Sequence, residues 1–140
     1  MVTGPVMGRV RCHCTICQTA NRAAYADSMI LLAKHVPLER VDYVRFETMK
    51  DPPAIQRGFC RSCGCHVVAY GSYWRFLSLA FVPVARFPAE VPLPEPAMHV
   101  FYDFRIADVA DAVPKYGKWP SDLAVLRTIL RTRWGRAGRS

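Results

Sequence analysis

Six cysteines are the residues of this sequence best suited to chemistry. They lie in two clusters, Cys12, Cys14 and Cys17, then Cys60, Cys63 and Cys65. The first has the spacing C-x-C-x-x-C and the second C-x-x-C-G-C. A C-x-x-C turn puts two thiolates on one side of a tight loop, near enough to bind one tetrahedral ion. Gly64 suits such a loop because glycine adopts the left-handed conformation without strain. The spacing therefore predicts zinc ligation.

Two other uses of clustered cysteines are weaker. Buried reduced cysteines that pack as small hydrophobes seldom cluster at ligand spacing. A redox C-x-x-C normally stands at the start of a helix, whereas Gly64 and Cys65 lead into a predicted strand. The N-terminal sequence MVTGPVMGRVRC has no apolar signal-peptide core. We therefore expect a cytoplasmic protein, in which clustered cysteines bind metal rather than form disulfides.

The segments around the cysteines resemble a known family. The sequences CHCTICQ, RGFCRSCGCHV, MHVFYDF and DAVPKYGKWP are similar to those of the glutathione-dependent formaldehyde-activating enzymes, a family that includes the centromere protein V group. The resemblance runs from Gly8 to Trp119. It implies a compact β fold of the Mss4-like type, a tent of short antiparallel sheets, with one structural zinc and a second, open zinc that binds a thiol substrate.

The resemblance assigns roles to five cysteines. In the family the C-x-C-x-x-C triple holds the catalytic-type zinc, which here corresponds to Cys12, Cys14 and Cys17. Three thiolates leave a fourth position for a substrate thiol or water, as in reactive zinc sites. The F-C-x-x-C-G knuckle supplies half of the structural zinc, here Cys60 and Cys63.

The other half of that structural site has no counterpart. The family has a C-x-C-G hairpin before the triple, but none of the eleven residues that precede Cys12 is a cysteine. Three outcomes stay open. Cys65 or His66 completes a site with Cys60 and Cys63; both clusters pool their cysteines around one four-thiolate zinc; or the second site is empty. A four-thiolate zinc would be closed and structural.

Histidines and aromatic residues are the remaining candidates. His13 alternates with two ligands, so we expect it to point away from the metal and to have a supporting or surface role. A direct metal role is disfavoured for His66 as well. His99 is expected to be a packed, hydrogen-bonded histidine in a strand. Five aromatic residues are predicted to be core or pocket wall: Trp74, Phe76, Phe101, Tyr102 and Phe104.

Most of the chain is predicted to be β structure. Alternating or continuous apolar segments indicate strands at 8–12, 28–33, 41–46, 67–70, 74–80 and 98–104. Gly71-Ser72 indicates a hairpin turn, and 18–26 a short helix or turn. The sequence thus predicts a zinc-containing β domain over 1–120, followed by a basic helix and tail over 121–140.

The last segment is predicted to be an amphipathic helix at 121–134. Ser121 can cap it, and four apolar residues recur at helical spacing: Leu123, Leu126, Ile129 and Leu130. We expect this stripe to be buried, within one chain or across a homo-oligomer. Of the net charge of +8, the segment 115–140 carries +6. Its arginines would attract polyanions only weakly and nonspecifically, so no specific nucleic-acid partner is expected.

Two functions follow from these patterns. Hydrophobic residues make up 51% and charged residues 21% of the chain, a globular composition without the run of about 18 apolar residues that a membrane span needs. The resemblance implies a zinc-dependent carbon–sulfur lyase, S-hydroxymethylglutathione synthase-like, with glutathione or another small thiol as partner. The alternative is a non-catalytic, zinc-stabilised binding module.

Overall fold

Seven β-strands and two α-helices form the fold of the described residues. The computed structural model describes residues 4–39, 41–49, 55–73 and 77–137. The strands are β1 (Gly8–Cys12), β2 (Ala26–Leu32), β3 (Val44–Thr48), β4 (Ile55–Cys60), β5 (His66–Tyr73), β6 (Leu77–Pro83) and β7 (Met98–Val100). The helices are α1 (Thr15–Asn21) and α2 (Asp122–Ala137). The predicted mostly β fold with a C-terminal helix is confirmed.

All seven strands belong to one sheet, in the order β3-β4-β5-β6-β2-β1-β7. The strands that the resemblance predicted as several short antiparallel sheets therefore form one continuous sheet. One pair also departs from the antiparallel pattern, because β7 runs parallel to β1, with Val10 opposite Met98 and Cys12 opposite Val100. This pairing joins the strand that carries the first cysteine to a strand almost ninety positions later in the chain.

The sheet has an apolar cluster on each face. Central strand β2 is buried on both sides between β1 and β6, so alternate residues of its ILL segment enter different clusters. One cluster contains Val10, Ile30, Ala69, Leu79, Phe81, Met98, Val100, Val125 and Ile129. The other contains Met29, Leu31, Val36, Val68, Tyr70, Ala80 and Val82. The first lies on the same face as the cysteine triple.

Helix α2 begins as predicted but buries a different face. Ser121 caps it, because its Oγ accepts a hydrogen bond from the backbone N–H of Ala124 at 3.3 Å. The residues packed into the core are Val125 and Ile129, which are four positions apart on the face toward the sheet. Within one chain, three of the four members of the predicted stripe are not buried but 41–56% exposed: Leu123, Leu126 and Leu130. Their burial across a homo-oligomer stays a prediction. Neither described helix is long and apolar enough to cross a membrane.

Three local predictions also differ from the structure. The first helix begins at Thr15, three residues before the predicted 18–26 segment, because Cys14 caps it. Gly71-Ser72 lies inside β5 and not at a hairpin turn. β7 ends at Val100 because Phe101 takes a left-handed conformation (φ 52°), and a 3₁₀ turn at Tyr102–Phe104 replaces the predicted end of the strand. The residues at 74–76, among them the predicted core aromatics Trp74 and Phe76, lie outside the described residues.

The stability of α2 should depend on its sheet-facing side chains. We predict that Ile129→Ala lowers the free energy of unfolding by about 2 kcal/mol or more, because Ile129 is 5% exposed within the core. Leu130→Ala is the matched control and should change it by less than about 0.5 kcal/mol, since that side chain is 50% exposed. Urea denaturation measures both. Equal losses for the two variants would contradict this packing of α2.

Candidate metal centre and thiol pocket

A sharp turn from strand to helix brings the first three cysteines together. Cys12 is the last residue of β1, Cys14 is the N-cap of α1, and Cys17 lies in the first turn of the helix. The Sγ atoms of Cys12 and Cys14 are 3.5 Å apart, and the Cys17 backbone N–H donates to the Cys14 sulfur at 3.3 Å. All three sulfur atoms lie within 4.8 Å of one another. The predicted cluster is therefore assembled.

These three sulfurs fit a thiophilic metal ion. In a tetrahedral zinc site with Zn–S bonds of about 2.3 Å, sulfur atoms are about 3.8 Å apart, close to the observed separations. Hydrogen bonds from the Cys12 thiol, and then from Cys17, lower the pKa of Cys14 to about 2. The hydrogen bond with Cys14, together with burial, raises the pKa of Cys12. The cluster thus already stabilises one thiolate, and a cation would stabilise the others.

The second cysteine cluster forms a separate turn. The Gly64 N–H donates to the Cys60 carbonyl at 2.8 Å, the Cys60 N–H to the Cys65 carbonyl at 2.9 Å, and Gly64 has the expected positive φ of 74°. Cys63 and Cys65 are exposed. Among the described residues, only the first triple forms a group of three or more potential metal ligands. Neither a pooled four-thiolate site nor a site completed by Cys65 or His66 is therefore assembled there, and ligation by Cys60 and Cys63 stays a prediction.

A cavity of about 320 Å³ opens beside the first triple. Its wall is mostly apolar and includes Val10, Ile16, Ile55, Phe81, Val100, Phe101 and Trp119. The polar groups in it are few, and none of the described lining residues is acidic. A mostly apolar pocket with a few convergent polar groups is typical of small-molecule sites. Phe101 was predicted as core or pocket wall, and it lines this cavity.

Arg57 and His66 are the charged or titratable groups of that wall besides the cysteines. Arg57 is 5% exposed, and its Nη2 points to the Cys17 sulfur at 3.6 Å. His66 is 7% exposed, and its Nδ1 lies 3.1 Å from the Asn21 Oδ1. Burial, and then the Arg57 charge, lower the pKa of His66 to about 4. His66 is therefore neutral at pH 7.

His13 points away from the sulfurs into a buried hydrogen-bonded chain. Its Nε2 lies 2.8 Å from the His99 Nδ1, and the His99 Nε2 lies 2.9 Å from the Asp111 Oδ2. His13 and His99 are 1% and 0% exposed. The hydrogen bond from Lys115, and then that from His99, lower the pKa of Asp111. The supporting role expected for His13 and the packed, hydrogen-bonded His99 are confirmed.

The loop between the ligands is also held through its backbone. The His13 N–H donates to the Val100 carbonyl at 3.0 Å, which extends the β1–β7 pairing by one residue. The His13 carbonyl accepts a hydrogen bond from the Gln18 side chain at 2.7 Å. Strand β7 and helix α1 therefore fix both sides of the peptide units that join Cys12 to Cys14.

Arg57, Asn21 and Asp111 were missed by the sequence reasoning. Each reaches the site through contacts between residues that are far apart in the chain: Arg57 contacts Cys17, and Asp111 contacts His99. Arg57 has one local signal, its position three residues before Cys60 in the RGFC segment. Asn21 and Asp111 have none, since both are ordinary polar residues in the sequence.

Comparison with known proteins agrees with the site. The family model described as glutathione-dependent formaldehyde-activating enzyme matches residues 1–103, most of the chain. The protein therefore belongs to this family, as the resemblance indicated. The matched region contains both cysteine clusters, Arg57 and His66, and it ends before α2. No significant match was found among curated proteins.

Metal content should distinguish the two cysteine clusters. We predict that Cys14→Ser removes one equivalent of bound zinc, because a hydroxyl replaces the thiolate at the centre of the triple. Cys63→Ser should retain that equivalent and lower mainly the melting temperature. Elemental analysis of the purified variants measures both. If each substitution lost the same single equivalent, a pooled site would be correct.

Stability should fall in acid partly through His66. Because folding lowers its pKa from 6.5 to about 4, the unfolded chain binds more protons between those values, and stability rises with pH there. The contribution of neutral His66 is complete above pH 6.5 and is lost as the pH falls toward 4. We predict that wild-type protein loses more unfolding free energy between pH 7 and pH 4.5 than His66→Gln does. Equal losses in denaturant titrations would contradict the neutral, buried imidazole.

Proposed function

We propose that this protein is a zinc-dependent, carbon–sulfur lyase-like protein that acts on a thiol–aldehyde adduct such as S-hydroxymethylglutathione. The observation that carries the proposal is the opening of the cysteine triple onto a mostly apolar cavity. A structural zinc site has four protein ligands and is closed, whereas three ligands beside a cavity leave space for an exogenous thiol. Membership of the formaldehyde-activating family supports the same substrate class.

The reaction requires no net oxidation. In the synthetic direction the thiol sulfur forms a bond to the aldehyde carbon, and the thiol proton ends on the former carbonyl oxygen. In the lyase direction the carbon–sulfur bond breaks, the hydroxyl loses its proton as the carbonyl forms, and the proton returns to sulfur. The chemistry that a bound zinc ion supplies is that of a Lewis acid, which favours the thiolate form of the substrate thiol.

The residues around the triple have complementary tasks in this reaction. Arg57 places a buried positive charge beside the Cys17 sulfur, where it offsets the negative charge of a cluster of thiolates. The apolar wall excludes water, so electrostatic interactions in the cavity are stronger than at the surface. The hydrogen bonds of the His13 backbone with Val100 and Gln18 hold the spacing of Cys12 and Cys14 while ligands exchange.

The proposal includes zinc as the resident metal, a small thiol such as glutathione as partner, and a cytoplasmic location. All six cysteines are free thiols, as a reducing compartment would keep them. Cys60 and Cys63 are proposed as ligands of a second, structural zinc in the knuckle turn.

A second candidate function is a non-catalytic, zinc-stabilised binding module. One observation favours it: α2 presents an exposed apolar face, with Leu123, Leu126 and Leu130, next to the exposed Arg127 and Arg131. Monomeric domains seldom expose contiguous apolar surface without a partner. In this alternative the metal stabilises the fold and the reaction is absent.

Cobalt substitution tests the open coordination position. We expect glutathione to change the sulfur-to-cobalt charge-transfer spectrum of the cobalt-loaded protein, since the triple leaves one position free. S-methylglutathione, which lacks a thiol, is the matched control and should cause no change. Exchange spectroscopy with ¹³C-formaldehyde and glutathione then measures the reaction itself. Thiol binding without any acceleration over the Cys14→Ser variant would favour the binding module, and absence of both would refute the thiol site.

A further inference from the structure

The ring of His66 has a defined tautomer. The Asn21 Nδ2 donates to the Cys17 carbonyl at 2.9 Å. A carbonyl can only accept, so the amide orientation of Asn21 is fixed and its Oδ1 must be the atom that faces the His66 Nδ1 at 3.1 Å. Nδ1 therefore carries the proton, and Nε2 of the neutral ring has a free lone pair.

That lone pair has no hydrogen-bond partner in the part of the chain that the structure describes. The His66 Nε2 is buried and makes no hydrogen bond to any described residue. His66 lines the cavity beside the cysteine triple. A buried acceptor without a partner is unfavourable in general, so a cavity that retains one is suited to a ligand that donates a hydrogen bond.

Arg57 offers the opposite property in the same cavity. Its guanidinium is buried, makes no ion pair with a described carboxylate, and has an unpartnered Nε. The contact of its Nη2 with the Cys17 sulfur puts it beside the proposed metal ligands. Arginine can only donate. Arg57, which donates, and His66, which can accept at Nε2, therefore line the same cavity as the cysteine triple.

We propose that Arg57 and His66 form a hydroxyl-recognition site, which selects thiols and thiol adducts that carry a hydroxyl group one or two carbons from the sulfur, among them the 1-hydroxyalkyl thioethers. The hydroxyl donates to the His66 Nε2 and accepts a hydrogen bond from Arg57. This inference rests on the proposed function, and it names the feature of the substrate that the pocket distinguishes. His66 and Arg57 are then specificity residues that contact the substrate, and Asn21 is a positioning residue.

Other polar groups match this pair less well. A carboxylate would accept a hydrogen bond from Arg57, but it has no proton to donate to the lone pair of the His66 Nε2. An ammonium would donate to His66 but would lie beside the positive charge of Arg57. An ether or carbonyl oxygen leaves the acceptor of His66 unsatisfied. A hydroxyl group is both donor and acceptor, so it satisfies both residues.

The test compares stable thiols that differ only at the oxygen. 2-Mercaptoethanol carries a hydroxyl, and 2-methoxyethanethiol carries an ether oxygen at the same position. Titrated into cobalt-loaded protein, 2-mercaptoethanol should bind about tenfold more tightly, because the ether leaves Nε2 unpaired. His66→Leu should abolish this preference, while His66→Gln, which can present an amide oxygen as acceptor, should retain part of it.

Two controls separate recognition from folding. Arg57→Gln should weaken binding of both thiols, whereas Arg45→Gln, on the neighbouring strand and paired with Glu47, should leave both affinities unchanged. Long-range ¹⁵N–¹H spectra of the zinc-bound protein should show His66 protonated at Nδ1 at pH 7, and Asn21→Ala should reduce the population of that tautomer. This readout does not depend on activity.

The outcomes separate this inference from the proposed function. If both thiols bind with equal affinity to wild-type protein, the hydroxyl site is wrong while the open thiol position stands. Nε2 found protonated in the wild-type protein would also overturn the hydroxyl site. If neither thiol alters the cobalt spectrum, the proposed function and the inference both fail.

Discussion

The constraint on which the site depends is the two-residue turn between β1 and α1. Side chains alternate along a strand, so Cys12 and Cys14 can face one side only if His13 faces the other. The chain must then enter a helix at once for Cys17 to reach the same side. The Cys14 sulfur meets this requirement by capping α1, where it accepts the Cys17 N–H. One residue is therefore both a candidate metal ligand and the start of the helix.

The opposite side of this turn is held by distant parts of the chain. His13 meets His99 of β7, and His99 in turn meets Asp111. The parallel β1–β7 pairing sets His99 beside this strand, with Arg11 as its partner in the register. The sheet order thus supports the metal ligands indirectly: the cysteines face the cavity, and the histidine between them is anchored in a buried polar chain.

The parts of the structure that the sequence could predict are those with local patterns. Strand β1 matches the predicted 8–12 in both bounds, and the cysteine triple was identified from ligand spacing alone. The face of α2 that packs on the sheet could not be predicted in full, because Leu123 and Val125 are both apolar and only the contact with the sheet decides which of them is covered. The roles of Arg57 and Asn21 were missed, since they arise from contacts of α1 with β4 and with β5. The end of β7 depends on the left-handed backbone conformation of Phe101, and no local pattern in MHVFYDF predicts that conformation.

The central claim is that Cys12, Cys14 and Cys17 hold a metal ion with one position open to a thiol. X-ray absorption at the zinc edge tests it most directly, on protein loaded with one equivalent of zinc in thiol-free buffer. We expect three sulfur neighbours at about 2.3 Å and one lighter atom, with a fourth sulfur appearing when glutathione is added. Four sulfur neighbours before any thiol is added would contradict it.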